Sequence, residues 1–92
     1  GVLYDGVRAG ALADACVEYA LQEIRDNTSF SAADTEALGS GECNYKVSSN
    51  GGESRTVYVE GFINDTTRRI QVEISDITPV INITSWNFVQ NF

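Results

Sequence analysis

The chain has 92 residues, with thirteen acids against six bases for a formal charge of −7, no histidine, no methionine, two cysteines and one proline. Its 42% hydrophobic content supplies one core and not two, since a second domain of this length would bury too little surface to hold together. Without imidazole, Ser-His-Asp and Cys-His catalysis and histidine-ligated zinc are excluded, and the acidic balance opposes both phosphate-tracking nucleic-acid binding and docking on anionic lipid.

From about Ala9 to Arg25 the apolar residues recur at helical spacing. Ala13, Cys16, Val17, Ala20, Leu21 and Ile24 share one face of a 3.6-residue period and are expected to pack on a sheet. Leu12 and Tyr19 widen this apolar arc to about 200°, where a helix resting on one sheet needs only about 100°. The surplus predicts a second packing partner, either a neighbouring subunit or an N-terminal continuation. The helical segment is assigned to residues 1–27. Residues 28–41 dissolve into small and polar side chains and are read as a connecting loop.

After Gly41 the period changes to two. Cys43, Tyr45 and Val47 alternate with polar residues, and the Asn50-Gly51 pair supplies a hairpin turn. A second strand, Ser54 to Ile63, sets Val57 and Val59 on one face and Tyr58 on the other. A third, Thr67 to Ile74, turns Ile70, Val72 and Ile74 inward, and a last one, Val80 to Phe88, sets Ile81 and Ile83 opposite Asn82, Thr84 and Trp86. Short links favour antiparallel neighbours. The expected fold is therefore α+β, in a single domain spanning residues 1–92: one N-terminal amphipathic helix packed on a four-stranded antiparallel meander over residues 42–92.

The two cysteines fit this arrangement, one on the sheet-facing stripe of the helix and one at the start of the first strand. A Cys16–Cys43 bridge would bolt one layer to the other and stabilise the fold by roughly 3 to 4 kcal/mol on a chain-entropy estimate. The alternative is two free buried thiols. A bridge implies an oxidising compartment. The spacing is neither a C-x-x-C redox motif nor half of a zinc site, so no metal and no cofactor are expected.

The order of elements resembles the globular part of a type IV pilin or pseudopilin. The residues that carry the resemblance are the helix A-L-A-D-A-C-V-E-Y-A-L-Q-E-I-R (Ala11 to Arg25), the D-N-T-S-F loop (Asp26 to Phe30), the strand opening G-E-C-N-Y-K-V (Gly41 to Val47) and the closing I-N-I-T-S-W-N-F (Ile81 to Phe88). The resemblance implies a structural subunit of an extracellular filament, membrane-anchored before assembly through an apolar N-terminal half-helix that this chain lacks, where Asp5 and Arg8 interrupt any such run. It implies other pilin subunits as partners, with Ala9, Leu12 and Tyr19 as candidate subunit-interface residues. It implies attachment, motility, DNA uptake or secretion as the role, and no enzymatic activity.

A second reading, from a different class, is a secreted module that binds carbohydrate or protein through exposed aromatics. Tyr58 and Trp86 lie on the less aliphatic faces of their strands and are its candidate residues, with Arg68 and Arg69 as a small local basic site. Paired carboxylates among Glu42, Glu60 and Glu73 are the one remaining route to catalysis, and their outward alternation suggests an open sheet surface and not a cleft.

Overall fold

A computed structural model describes residues 2–38 and 41–92, the side chains of Val2, Leu3 and Leu38 excepted. One helix, α1 (Val2–Asp26), precedes five strands, β1 (Ala33–Leu38), β2 (Gly41–Gly51), β3 (Ser54–Ile63), β4 (Thr66–Asp76) and β5 (Asn82–Val89), which form one antiparallel sheet in chain order. At 1.5 Å per residue the helix is about 37 Å long, and it sets the long axis of a molecule measuring 43 × 21 × 18 Å.

The sheet corrects the expected four-stranded meander. The added strand, β1, falls within the segment read as a connecting loop. Its sequence, A-D-T-E-A-L, carries neither a β-branched run nor an apolar alternation, so side-chain pattern gives no strand signal. Backbone pairing with β2 holds it instead, in an unbroken register from Ala33 opposite Lys46 to Leu38 opposite Gly41. The helix runs from Val2, within the segment 1–27 assigned to it and ahead of the apolar period that starts at about Ala9. Asp5, Gly6 and Gly10 interrupt the apolar period there, yet the first turns lie along the sheet, and Asp5 accepts a hydrogen bond from Asn64 in the β3–β4 turn (3.2 Å).

The core is the interface between α1 and the central strands. Ala13, Val17, Ala20, Leu21 and Ile24 are buried against Val57, Val59, Ile70, Val72 and Ile74. Gly61 sets how close the layers come. A Cβ built there would lie 2.7 Å from the Ala9 carbonyl oxygen and 2.9 Å from the Ala13 amide nitrogen, so only glycine lets the helix backbone seat directly on β3. Across from Gly61, Cys43 is bonded to Cys16 with a Cα–Cα distance of 6.3 Å. The disulfide ties the layers where they approach most closely.

Among the described residues, two turns use left-handed backbone. Asn64 takes φ 53° in the two-residue β3–β4 link, and Gly51 and Gly52 take φ 106° and 53° at the β2–β3 turn, one residue later than the Asn-Gly pair suggests. The β5 register corrects the predicted faces. Glu73 pairs with Ser85 but Ile74 pairs with Ile83, so Thr84 is an extra residue. This bulge reverses the alternation beyond it, and Trp86 opposite Val72 lies on the same helix-facing side as Ile83 opposite Ile74.

Candidate functional site

The helix has a second apolar face. At 100° per residue, Tyr4, Val7, Ala11 and Ala15 lie within an arc of about 80° on the side away from the sheet. All four are exposed, Tyr4 to 64% and Val7 to 65%. Over residues 4–15 charged residues border this arc, Arg8, whose guanidinium lies 5.4 Å from the Tyr4 ring centroid, on one side and Asp14 on the other, and Glu18 enters it one turn further on. Tyr19, 45% exposed, lies outside this arc, on the far side of the Arg8 line.

Beside this strip, a groove of about 760 Å³ runs between the helix flank and the sheet edge. Val7, Gly10 and Ala11 form one wall, and Phe88 and Val89 form the other. Phe88 lies over Gly10 on the flank, where a Cβ would meet the ring at 3.6 Å, an ordinary contact. Arg68 closes one end, its guanidinium lying against Gly6.

The remaining predicted residues are distributed differently from expectation. Ala9 and Leu12 are not free to meet a neighbouring subunit: both are buried in the intramolecular core, Leu12 in contact range of the position a Gly41 side chain would take. Of the three interface candidates, only Tyr19 is exposed. Trp86 and Tyr58 do not make one aromatic platform. Trp86 packs against the core on the helix side, whereas Tyr58 stands on the opposite face of the sheet. Arg68 and Arg69 both border the groove along the helix flank, but as consecutive strand residues they start from opposite faces and their guanidiniums are engaged separately. Arg68 turns to the helix and hydrogen-bonds the Thr67 carbonyl, while Arg69 donates to Glu60 (2.8 Å) and to the Gln90 carbonyl (2.8 Å).

On the outer face, Tyr58 meets Phe92 edge-on, with ring centroids 5.1 Å apart, and Lys46 reaches over the Tyr58 ring at 5.9 Å. These side chains, with Asp34, Thr35, Asn44 and Glu60, line a shallow groove of about 680 Å³. Glu60 and Glu73 lie in separate hydrogen-bonded networks: Glu60 receives Arg69, and Glu73 receives the Thr56 hydroxyl (3.0 Å) and the Gln71 amide (3.2 Å).

Sequence reasoning missed two anchoring groups. Arg55 is buried, and its guanidinium donates to the carbonyls of Thr28, Phe30, Gly52 and Ser54 and to the Ser49 hydroxyl, which clamps the end of the helix to the β2–β3 turn. Glu53 accepts from the amides of Ile77 and Thr78 (2.9 Å each) and from the Thr78 hydroxyl, and these bonds hold its carboxyl below the usual carboxylate range. Glu53 lies in the β2–β3 turn, outside any apolar period, and Arg55 occupies a core-facing position of β3 two residues before Val57, where a charged side chain gives no apolar signal. Tyr45 is buried beneath Asp34, Glu23 and Glu36, and burial first, then these acids, push its phenol up to about 12.

The chain matches no protein-family model, and no curated protein or solved structure is significantly similar to it. The Cys16–Cys43 disulfide is consistent with a secreted or extracellular protein. Among the described residues, no helix is long and apolar enough to cross a membrane.

Proposed function

We propose that this chain is the globular part of a pilin-like subunit in an extracellular bacterial filament. The observation that supports the reading is the double-sided helix. One face of α1 is fully used by the sheet, and the charge-free strip of Tyr4, Val7, Ala11 and Ala15 is left for neighbouring helices. Small residues in the strip allow close helix approach, and Phe88 and Val89 extend the apolar surface onto the sheet edge. The filament would lie outside the cell, in keeping with the disulfide, and its partners would be other subunits of the same kind. Attachment, motility, DNA uptake and secretion are the roles that such filaments serve. Catalysis forms no part of this reading.

The test is assembly. An apolar helix of about 25 residues, the length that spans a bilayer, is fused ahead of Val2 and the product is inspected by electron microscopy. Filaments or detergent-dependent assemblies are expected, and Val7→Glu with Ala11→Glu in the same fusion should abolish them while the fold stays intact. A monodisperse, soluble monomer carrying the extension would overturn the proposal.

A further inference from the structure

The two edges of the sheet differ in a way the filament reading does not use. At the β1 edge the strand is short and acidic, and the Asp34 carboxylate accepts a hydrogen bond from the Thr35 amide (2.7 Å), so a backbone donor at that edge is already capped. At the other edge, β5 belongs to a run from Ile77 to Phe92 that carries no charged side chain, in a chain of net charge −7. Native sheets protect free edges with charges, coverage or bulges; among the described residues β5 carries no charge and no covering element, and its bulge at Thr84 lies before the Ser85–Val89 stretch. It is the last strand of the sheet, and α1 packs on β2, β3 and β4. Val80, Ile83 and Phe88, in and just before β5, are exposed.

The backbone groups available at this edge follow from the pairing pattern. Val47 donates to the Ala32 carbonyl (2.8 Å), so Val47 and every second residue from it on β2 face β1. The row Ala33, Lys46, Tyr58, Gln71, Asn87 crosses the sheet without a register shift. Carrying the alternation along it, Lys46 bonds Tyr58 and Gln71 bonds Asn87. Trp86 and Phe88 are then left with N–H and C=O groups directed away from β4.

We propose that β5 pairs antiparallel with β5 of a second copy of this chain, about a two-fold axis normal to the sheet, to give a continuous ten-stranded sheet with both helices on one face. A second copy is the occupant that charge selects. Two chains of net charge −7 repel wherever acids meet, and β5 is the edge at which self-pairing opposes no like charges. The pattern is also self-complementary. In the register centred on Asn87, Trp86 lies across from Phe88 of the second copy on the helix side, which pairs aromatic with aromatic, while Asn87 meets Asn87 of the second copy on the outer face. The pairing does not rest on the filament reading, since it uses the backbone edge of β5 and not the apolar strip of the helix, although Phe88 borders both surfaces.

The test combines sedimentation equilibrium with amide hydrogen exchange on the 92-residue chain. The weight-average mass should rise with concentration from 10.0 kDa towards twice that value, over about 10 to 500 μM, the range of a small interface. The Trp86 and Phe88 amides should gain about tenfold protection over the same range. Asn87→Lys, which sets like charges opposite each other at the axis, should return the protein to monomer with an unchanged melting temperature. A mass that stays at 10.0 kDa throughout would overturn the proposal, as would a dimer that leaves the Trp86 and Phe88 amides unprotected. The exchange measurement uses the wild-type chain, so it decides the matter even if the lysine variant folds poorly. A monomeric result leaves the filament test unaffected.

Discussion

Gly61→Ala tests the helix seat directly. The added methyl would sit 2.7 Å from the Ala9 carbonyl oxygen, 2.9 Å from the Ala13 nitrogen and 3.2 Å from the Ala13 Cα. All three atoms belong to helix backbone, so no side chain can swing aside. Ordinary contact would require α1 to lift by about half an ångström or more, and a gap of that size forfeits a quarter to a half of each dispersion contact beneath the helix. The Cys16–Cys43 bond lies beside this point and restrains the helix from tilting away. The cost falls at the upper end of the overpacking range, about 3 kcal/mol, which lowers the melting temperature of a domain this size by about 15 °C. Gly10→Ala is the matched control. Its methyl meets only the Phe88 ring at 3.6 Å, an ordinary contact, and replacing a mid-helix glycine contributes about 1 kcal/mol of stability, or about 5 °C. Thermal denaturation followed by far-ultraviolet circular dichroism, with the disulfide kept oxidised, measures both. A Gly61→Ala protein that melts within about 3 °C of wild type would refute the seating of the helix on β3.

Removing the disulfide by Cys16→Ala with Cys43→Ala releases a 27-residue separation and should cost about 3.5 kcal/mol, read as a lower melting temperature that reductant reproduces in the wild type; titratable thiols in the native protein would contradict it. Arg55→Met keeps the bulk of the side chain but leaves the carbonyls of Thr28, Phe30, Gly52 and Ser54 without their donor; a loss of about 3 kcal/mol in urea denaturation is expected. The Glu53 carboxyl titrates lower in the fold than its ordinary 4.5, so its contribution is present above that value and disappears as pH falls through the folded one. Glu53→Gln should therefore flatten the acid limb of the melting-temperature profile. Tyr45 moves the other way: its phenol holds the proton up to about 12 in the fold against 10.0 unfolded, so its share of stability is intact below pH 10 and is lost as pH climbs through that window. Tyr45→Phe should remove both the latest phase of phenolate absorbance and that alkaline loss.

The helix and the central strands were legible because burial imposed a period on them. Ala13, Val17, Ala20, Leu21 and Ile24 repeat at helical spacing, and Ile70, Val72 and Ile74 alternate, since each set faces one apolar layer. The β1 strand was not legible because Ala33, Asp34, Thr35 and Ala37 are exposed, and pairing through backbone leaves no trace in side-chain type. The face of Trp86 was misread for a local reason, since one extra residue at Thr84 inverts an alternation that otherwise predicts it. The width of the apolar arc pointed to a second surface on the helix and assigned it to Ala9, Leu12 and Tyr19, of which only Tyr19 is exposed. Gly61 seats Ala9 in the core and Leu12 packs towards Gly41, and the uncovered strip lies instead at Tyr4, Val7, Ala11 and Ala15. A helical wheel orders residues around an axis without saying how deeply the helix sinks into its sheet, and here one glycine on another element sets that depth.

The two proposed association surfaces meet at Phe88, which lines the groove along the helix flank and also lies on the free edge strand. A charge placed there, as in Phe88→Lys, would disturb helix packing and strand pairing together and could not tell them apart. Residues to either side separate them. Asn87 lies on the outer face of the sheet, paired with Gln71 and remote from the helix, so Asn87→Lys acts on strand pairing alone. Val7 lies on the helix with no part in the sheet, so Val7→Glu acts on helix packing alone. If both surfaces operate, filaments built from the helix-extended protein should form with Asn87→Lys but lose lateral association between neighbouring filaments, whose exposed β5 edges would otherwise pair. Filaments that bundle equally well with and without the lysine would show that β5 is covered within the filament, and that edge pairing belongs to the soluble chain only.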